Sequence, residues 1–200
     1  VIIQNVGGGN YHWYHYDHFY KLECDTGIWT RITENALPGE RGRATLAFDE
    51  DREHLYLFGG QVPDGDTNSL WQYNISSNAW KSYSFTQQPN PRREHAVEFD
   101  QELNRMFIFG GRRNGTSTAE YDDLWTYDVL QERWQKMPEG DDKPTIQNNA
   151  RISYNTDTKE LLMMGNTDEE LYLWREGWLG WIPQESETRP VEWSGHGQVY

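Results

Sequence analysis

The residues with the greatest chemical capacity sit in one short stretch, Asn10 to His18, which reads NYHWYHYDH. It places His12, His15 and His18 beside Asp17, and imidazoles with a carboxylate are ligands for Zn or Cu. A spacing of three and three matches no standard zinc pattern, so no metal is expected, and His12, His15 and His18 stand as the alternative set. The neighbouring Tyr11, Trp13 and Tyr14 suit stacking on a sugar or a peptide. Gly7-Gly8-Gly9 is no phosphate cradle, because no Lys-Ser or Lys-Thr follows and no helix pattern begins there. Cys24 is the only thiol, which excludes an intrachain disulfide. Nothing in the chain completes a catalytic constellation, and no cofactor is expected.

Composition narrows the classes further. The 200 residues are only 36% hydrophobic, with a mean hydropathy of -0.95. Yet 10 Trp, 12 Tyr and 7 Phe allow a core to be built from few large side chains. A net charge of -14 argues against a role in tracking nucleic-acid phosphates, which requires basic patches. No apolar run approaches the ~18 residues that span a membrane, so no membrane insertion is expected. The lone cysteine leans toward a reducing compartment, the cytoplasm. Asn74-Ile75-Ser76 and Asn114-Gly115-Thr116 match the glycosylation pattern, a short pattern that arises often by chance. Val1-Ile2-Ile3 lacks the basic flank of a signal peptide, and the ends read as truncated, inside apolar runs.

The elements that must position these residues recur. In Pro91 to Trp134 one apolar run ends at Phe99-Asp100 and a second, Met106 to Phe109, ends at Gly110-Gly111. A third strand, Leu124 to Tyr127, then precedes Trp134. The pattern returns with Phe48, Gly59-Gly60, Leu70 to Tyr73 and Trp80, and with Tyr154, Gly165-Asn166, Leu171 to Trp174 and Trp181. An incomplete copy opens the chain, from Val1 to Val6 through Phe19 to Leu22 and Trp29, with Gln4 and Asn5 interrupting its apolar run. Gly195 to Tyr200 restates Glu94 to Phe99 and stops. Strand three begins ten residues before a Trp in all four copies, and those Trp residues are 51, 54 and 47 apart. Continuous apolar second runs predict strands buried on both faces. The segments Asp49-Glu50-Asp51, Asp100-Gln101-Glu102 and Asn155-Thr156-Asp157 predict hairpin turns.

A period near fifty with a diglycine and a downstream Trp resembles the kelch repeat, whose four strands make one blade of a β-propeller. The resemblance covers essentially the whole chain. It implies an all-β kelch-type propeller with four blade equivalents, three complete and one split between the termini. Blade units fall at about 1–33, 40–85, 91–137 and 144–183, with the next beginning at 190–200. A ring of four would close by pairing Gly195 to Tyr200 with Val1 to Val6; the reading favoured is a segment of a larger propeller, since propellers run to about eight blades.

The resemblance also implies where binding residues lie. Ligands of propellers gather on loops that change from blade to blade: those between strands two and three, and those leading into strand one. The first class gives Trp13, His15, Asp64, Asp66, Arg112, Arg113 and Tyr121, and the second gives Arg41, Arg43, Arg93, Glu94 and Gln147. Arginines at such positions suit carboxylates; they equally suit local pairing that caps strand ends. Galactose oxidase, which carries kelch-like repeats, joins a Tyr to a Cys beside copper, and Cys24 falls instead in the turn after strand three. The plant specifier proteins of the family carry Glu, Asp and His each separated by three residues, a run missing from this sequence. The function expected is a non-catalytic scaffold holding a protein partner, a basic or acidic-motif peptide, through loops on one propeller face. The alternatives are a carbohydrate-acting or metal-dependent kelch enzyme, or a carbohydrate-binding module.

Overall fold

A computed structural model describes residues 2–5, 19–32, 37–113, 121–144, 150–165, 171–175, 177 and 179–184. Among these residues all regular structure is β-strand, in antiparallel sheets that run up and down in sequence order. They form two compact units, one of residues 1–84 with 90–93 and the other of residues 85–89 with 94–200.

The first unit holds two sheets. One is β1 (Ile2–Asn5), β2 (Phe19–Glu23) and β3 (Ile28–Ile32). The other begins with β4 (Thr45–Asp49) and β5 (His54–Phe58). A small separate hairpin follows, β6 (Gln61–Val62) and β7 (Gly65–Asp66). The sheet then finishes with β8 (Leu70–Asn74) and β9 (Ala79–Tyr83), in the order β4-β5-β8-β9. Phe19, Ile32, Leu57, Tyr73 and Trp80 form its buried core, with the rings of Phe19 and Trp80 at 4.8 Å. Asn5 pairs with Phe19, whereas Phe58 holds the corresponding place opposite Leu70. The polar interruption noted in the first copy thus occupies a position that is apolar in the second.

The second unit repeats the plan. Its third sheet of the chain is β10 (Ala96–Asp100), β11 (Arg105–Phe109), β12 (Leu124–Asp128) and β13 (Arg133–Lys136). The fourth is β14 (Arg151–Asn155), β15 (Glu160–Met164), β16 (Leu171–Arg175) and β17 (Ile182–Pro183). Successive strand residues point to opposite faces, and Met106, Phe107, Ile108 and Phe109 are each 0% exposed, so β11 is buried on both sides. Phe107 stacks on Tyr154 at 5.3 Å and Phe109 meets Trp181 at 5.1 Å, which ties the third sheet to the fourth.

The β10–β11, β12–β13 and β14–β15 hairpins are each closed by a side chain at the end of their first strand. Asp100 Oδ1 accepts the N–H groups of Glu102 and Leu103 at 3.0 and 3.1 Å. Asn155 Oδ1 accepts those of Asp157 and Thr158 at 2.9 and 3.1 Å, and Asp128 Oδ1 those of Leu130 and Gln131, both at 2.9 Å. The chain then passes through a left-handed residue before the next strand: Glu53, Asn104 and Lys159 after strand one, Asn78 and Glu132 after strand three. Such turns match the twist of the strands they join. Trp80, Trp134 and Trp181 are buried as the repeat requires, while Trp29 is 48% exposed. No sheet precedes the first among the described residues of its unit, so nothing there covers Trp29.

Asp100→Ala leaves two turn N–H groups without their acceptor. The expected loss is about 1–3 kcal/mol, read as a lower urea midpoint at an unchanged slope. A change under about 0.5 kcal/mol would be that of an ordinary surface substitution and would show that the carboxylate does not anchor the turn.

Candidate functional site

In the second and third sheets, the loops that lead into strand one and those that follow strand two meet at the diglycine end. In the first unit, Gly60 explains why. Its φ is +99°, and a Cβ there would lie 2.8 Å from Ala44 Cβ and 2.9 Å from the Gly42 carbonyl. The two loops are that close because Gly42 and Gln61 exchange both backbone hydrogen bonds, at 2.9 and 2.7 Å. A side chain at Gly60 would force them apart.

Arg41 sits beneath this junction, 3% exposed. Its Nη1 donates to the Gly59 carbonyl at 3.1 Å and to Ser69 Oγ at 3.2 Å, and its Nη2 donates to the Pro38 carbonyl. Burial pulls the guanidinium down to about 10, still a cation at neutral pH. Arg93 is also buried and pairs with Asp66 of the β6–β7 hairpin at 2.9 Å, where the Asp66 side chain is wholly enclosed. Asp64 lies at the exposed tip of that hairpin. Arg41 and Arg93 therefore hold loops in place, whereas Arg43 is half-buried.

Arg92 belongs to the same framework and was not among the sequence candidates. It is 0% exposed, its Nε donates to the Asn90 carbonyl at 3.1 Å, and its own carbonyl accepts the Gly60 N–H at 2.8 Å. The available signal was its spacing: Arg41 and Arg92 are 51 apart, the interval between Trp29 and Trp80. Arg43 and Glu94 also correspond, with φ of 57° and 55°. A left-handed non-glycine costs about 1–2 kcal/mol, so the loop into strand one is bent against its preference in two successive repeats.

In the second unit Glu94 and Arg112 bring the two loop classes together. Arg112 Nη2 donates to Glu94 Oε1 at 2.9 Å and Nε reaches the other carboxylate oxygen, a two-point fork. Arg113 next to it is exposed. Tyr121 is fixed by its N–H to the Gly111 carbonyl at 2.7 Å. Beside it, Lys143 bridges Asp122 at 2.8 Å and Glu139 at 3.1 Å, and the hydrogen bond to Asp122, then that to Glu139, raises the ammonium above the usual lysine range. Trp13 and His15, the alternative metal set His12, His15 and His18, and Gln147 lie outside the described residues. Among the described residues no three His, Cys, Asp or Glu side chains gather to hold a metal, and no helix is long and apolar enough to cross a membrane.

A groove of about 720 Å³ runs over β14 and β15, lined by Glu98, Arg151, Ser153, Tyr154, Leu162 and Leu173 among others. Burial pushes the Glu98 carboxyl up to about 7.

Comparison with known proteins finds that residues 3–174 match the KLHDC2/KLHL20/DRC7 Kelch-repeats domain. The chain is 28% identical over 144 residues to Kelch domain-containing protein 10 of Rattus norvegicus, covering 66% of this chain and 33% of that protein. The protein of the same name from Homo sapiens is also 28% identical over 144 residues, with 66% and 31% covered. An N-(sulfonatooxy)prop-2-enimidothioate sulfolyase of Thlaspi arvense is 21% identical over 147 residues, with 72% and 41% covered. The chain thus spans about a third of the length of the first two relatives.

Two measurements check the electrostatics. Asp66→Asn leaves Arg93 buried opposite a neutral group and is expected to cost about 3–5 kcal/mol, while Asp66→Leu with Arg93→Met costs less than the single change. Equal losses would mean that the pair is not the unit. For Glu98, the folded state holds the proton more tightly than the unfolded chain, so its contribution is fully present below about 4.5 and is lost as pH rises through about 7. Glu98→Gln should therefore flatten the decline in urea midpoint between pH 5 and pH 8. An unchanged slope would show that Glu98 titrates normally.

Proposed function

Because the chain belongs to the kelch-repeat family, we propose that it is a non-catalytic interaction scaffold, which holds an acidic peptide segment of a protein partner on its loops at the diglycine ends of the sheets. The observation that carries this reading is the Glu94–Arg112 fork beside the exposed Arg113 and the pinned Tyr121. A guanidinium held by one carboxylate keeps donors for a second, and a neighbouring aromatic edge adds contact area. In a chain of net charge -14, the exposed Arg113 stands as a cation beside the Glu94–Arg112 pair and favours an acidic ligand.

The other sequence candidates take different parts. Arg41 and Arg93 position loops, Glu94 orients Arg112, and Arg43 lies on the loop into β4. The free, exposed thiol of Cys24 suits a cytoplasmic setting. The repeats themselves are read as part of a propeller larger than four blades. The sulfolyase relative favours an enzymatic reading, for which the histidine loop is the place in this sequence that would supply metal ligands.

Arg112→Glu with Arg113→Glu is expected to weaken the captured partner's affinity at least about tenfold while the urea midpoint stays close to that of the parent. Arg112→Lys with Arg113→Lys keeps charge without the fork and should fall between. Undiminished binding by the double glutamate variant sinks this reading. Stoichiometric Zn, Cu or Fe in the purified protein, lost in His12→Ala with His15→Ala together with a turnover, would replace it with the enzymatic one.

A further inference from the structure

We propose that His54 is a proton-operated catch on the β8–β9 turn: when its ring becomes an imidazolium, Asn74 turns its carbonyl from the Ser77 N–H to the ring and releases the turn. The inference is independent of the binding role of Arg112 and Arg113.

His54 opens β5 and faces Asn74, the last residue of β8, across the second sheet. In the third and fourth sheets the same cross-strand position holds opposite charges, Arg105 with Asp128 and Glu160 with Arg175. The second sheet has there a ring that titrates near neutrality and an amide. Both ring nitrogens are engaged: Nε2 lies 2.9 Å from Asn74 Nδ2, and Nδ1 meets the side-chain amide of Gln72. Asn74 Oδ1 accepts the Ser77 N–H at 2.7 Å, as Asp128 Oδ1 accepts the turn N–H groups of the third sheet. The Gln72 amide is also hydrogen-bonded to the Tyr83 hydroxyl, and Lys81 Nζ lies over the Tyr83 ring at 4.2 Å. Asn74, part of a glycosylation pattern in the sequence, thus has both of its amide atoms in use.

Counting donors shows what the ring's charge decides. The Ser77 N–H needs an oxygen, which fixes the Asn74 amide and makes its NH2 group donate to Nε2. A neutral imidazole accepts at one nitrogen and donates at the other, so Nδ1 carries the proton. Gln72 satisfies it by giving its oxygen to Nδ1–H and its NH2 group to the Tyr83 oxygen. An imidazolium has two N–H groups and accepts nothing. Its Nε2–H would then meet the Asn74 NH2 group, donor against donor. Turning that amide relieves the clash and takes the oxygen away from Ser77, so the turn's cap and a charged His54 exclude each other.

The surroundings give the switch its direction. Burial, the largest influence, holds His54 below the usual histidine range; Asp49, its cross-strand partner on β4, opposes this, and Arg52 in the turn and Lys81 on β9 add to it. Asp49 is engaged by Arg52 at 3.1 Å and the Glu53 carboxylate accepts the Ser76 hydroxyl, so both nearby carboxylates already have partners. Asn74 is the oxygen donor that stands directly at Nε2.

The test is a titration of the full 200-residue chain by heteronuclear NMR from about pH 7.5 to about pH 5. It follows the His54 ring, the Ser77 amide and, as the control, the Gln131 amide, which hangs on Asp128 in the third sheet. The expected result is a His54 midpoint below that of an ordinary histidine, an upfield shift of the Ser77 amide proton in step with it, and a steady Gln131. Asn74→Asp supplies one oxygen to Ser77 and a second to the ring. In that variant His54 should titrate at higher pH than in the parent, and the Ser77 signal should no longer follow it. A Ser77 amide that stays in place while His54 titrates in the parent overturns the proposal. So does a His54 that stays neutral throughout the range, or an Asn74→Asp chain in which the His54 midpoint does not rise.

Discussion

The structure depends on burying one sheet's aromatic face against the next. A single four-stranded sheet has two faces and cannot cover either by itself, and this chain spends few residues on apolar side chains. The repeat solves this by placing large rings at fixed cross-strand positions. Phe107 and Phe109 project from the third sheet onto Tyr154, Trp174 and Trp181 of the fourth. In the other unit Phe19 meets Trp80, which also packs on Tyr73 at 5.0 Å. Tyr127 and Trp134 repeat that last pair at 5.0 Å with nearly the same tilt, 44° against 43°. Ring pairs of this kind add about 0.5–1.5 kcal/mol each beyond the area they bury, which helps a chain of low mean hydropathy hold its sheets together.

Once the sheets are packed, their ends decide what the loops can do. The hairpins on one side are closed by short acidic or amide side chains and have little freedom. The diglycine side is different, because there two loops of unequal origin must share a narrow space. Buried cations hold them: Arg41 on carbonyls and Ser69, Arg92 on the backbone of its own loop, Arg93 on Asp66. Charges so enclosed contribute more to fixing one geometry than to net stability. Arg112, with more than a third of its side chain exposed, uses the same chemistry at the surface.

Much of the fold was legible because its signals are local and repeat. The interval from strand three to the Trp, the diglycine and the continuous second runs each mark a strand position that the structure occupies, as β8, β12 and β16 show. The site was less legible, for a physical reason. Arg41, Arg93, Arg112 and Arg113 look alike in sequence, yet whether a guanidinium faces a carbonyl, an enclosed carboxylate or water depends on residues 18 to 28 positions away along the chain. The same holds for Arg43 and Glu94, whose left-handed backbone no side-chain type announces.

The sequence by itself determined the repeat, its register and the rows that must be apolar, because side-chain period and turn chemistry act over a few residues. Tertiary structure alone decided which of two equivalent faces is covered. Leu162 reads from its sequence as core like Phe107 and is only half-buried among the described residues, because covering a sheet face requires another sheet in the right place. It also decided which arginines are spent on architecture, since desolvating a guanidinium is tolerable only where converging carbonyls or a carboxylate replace its water.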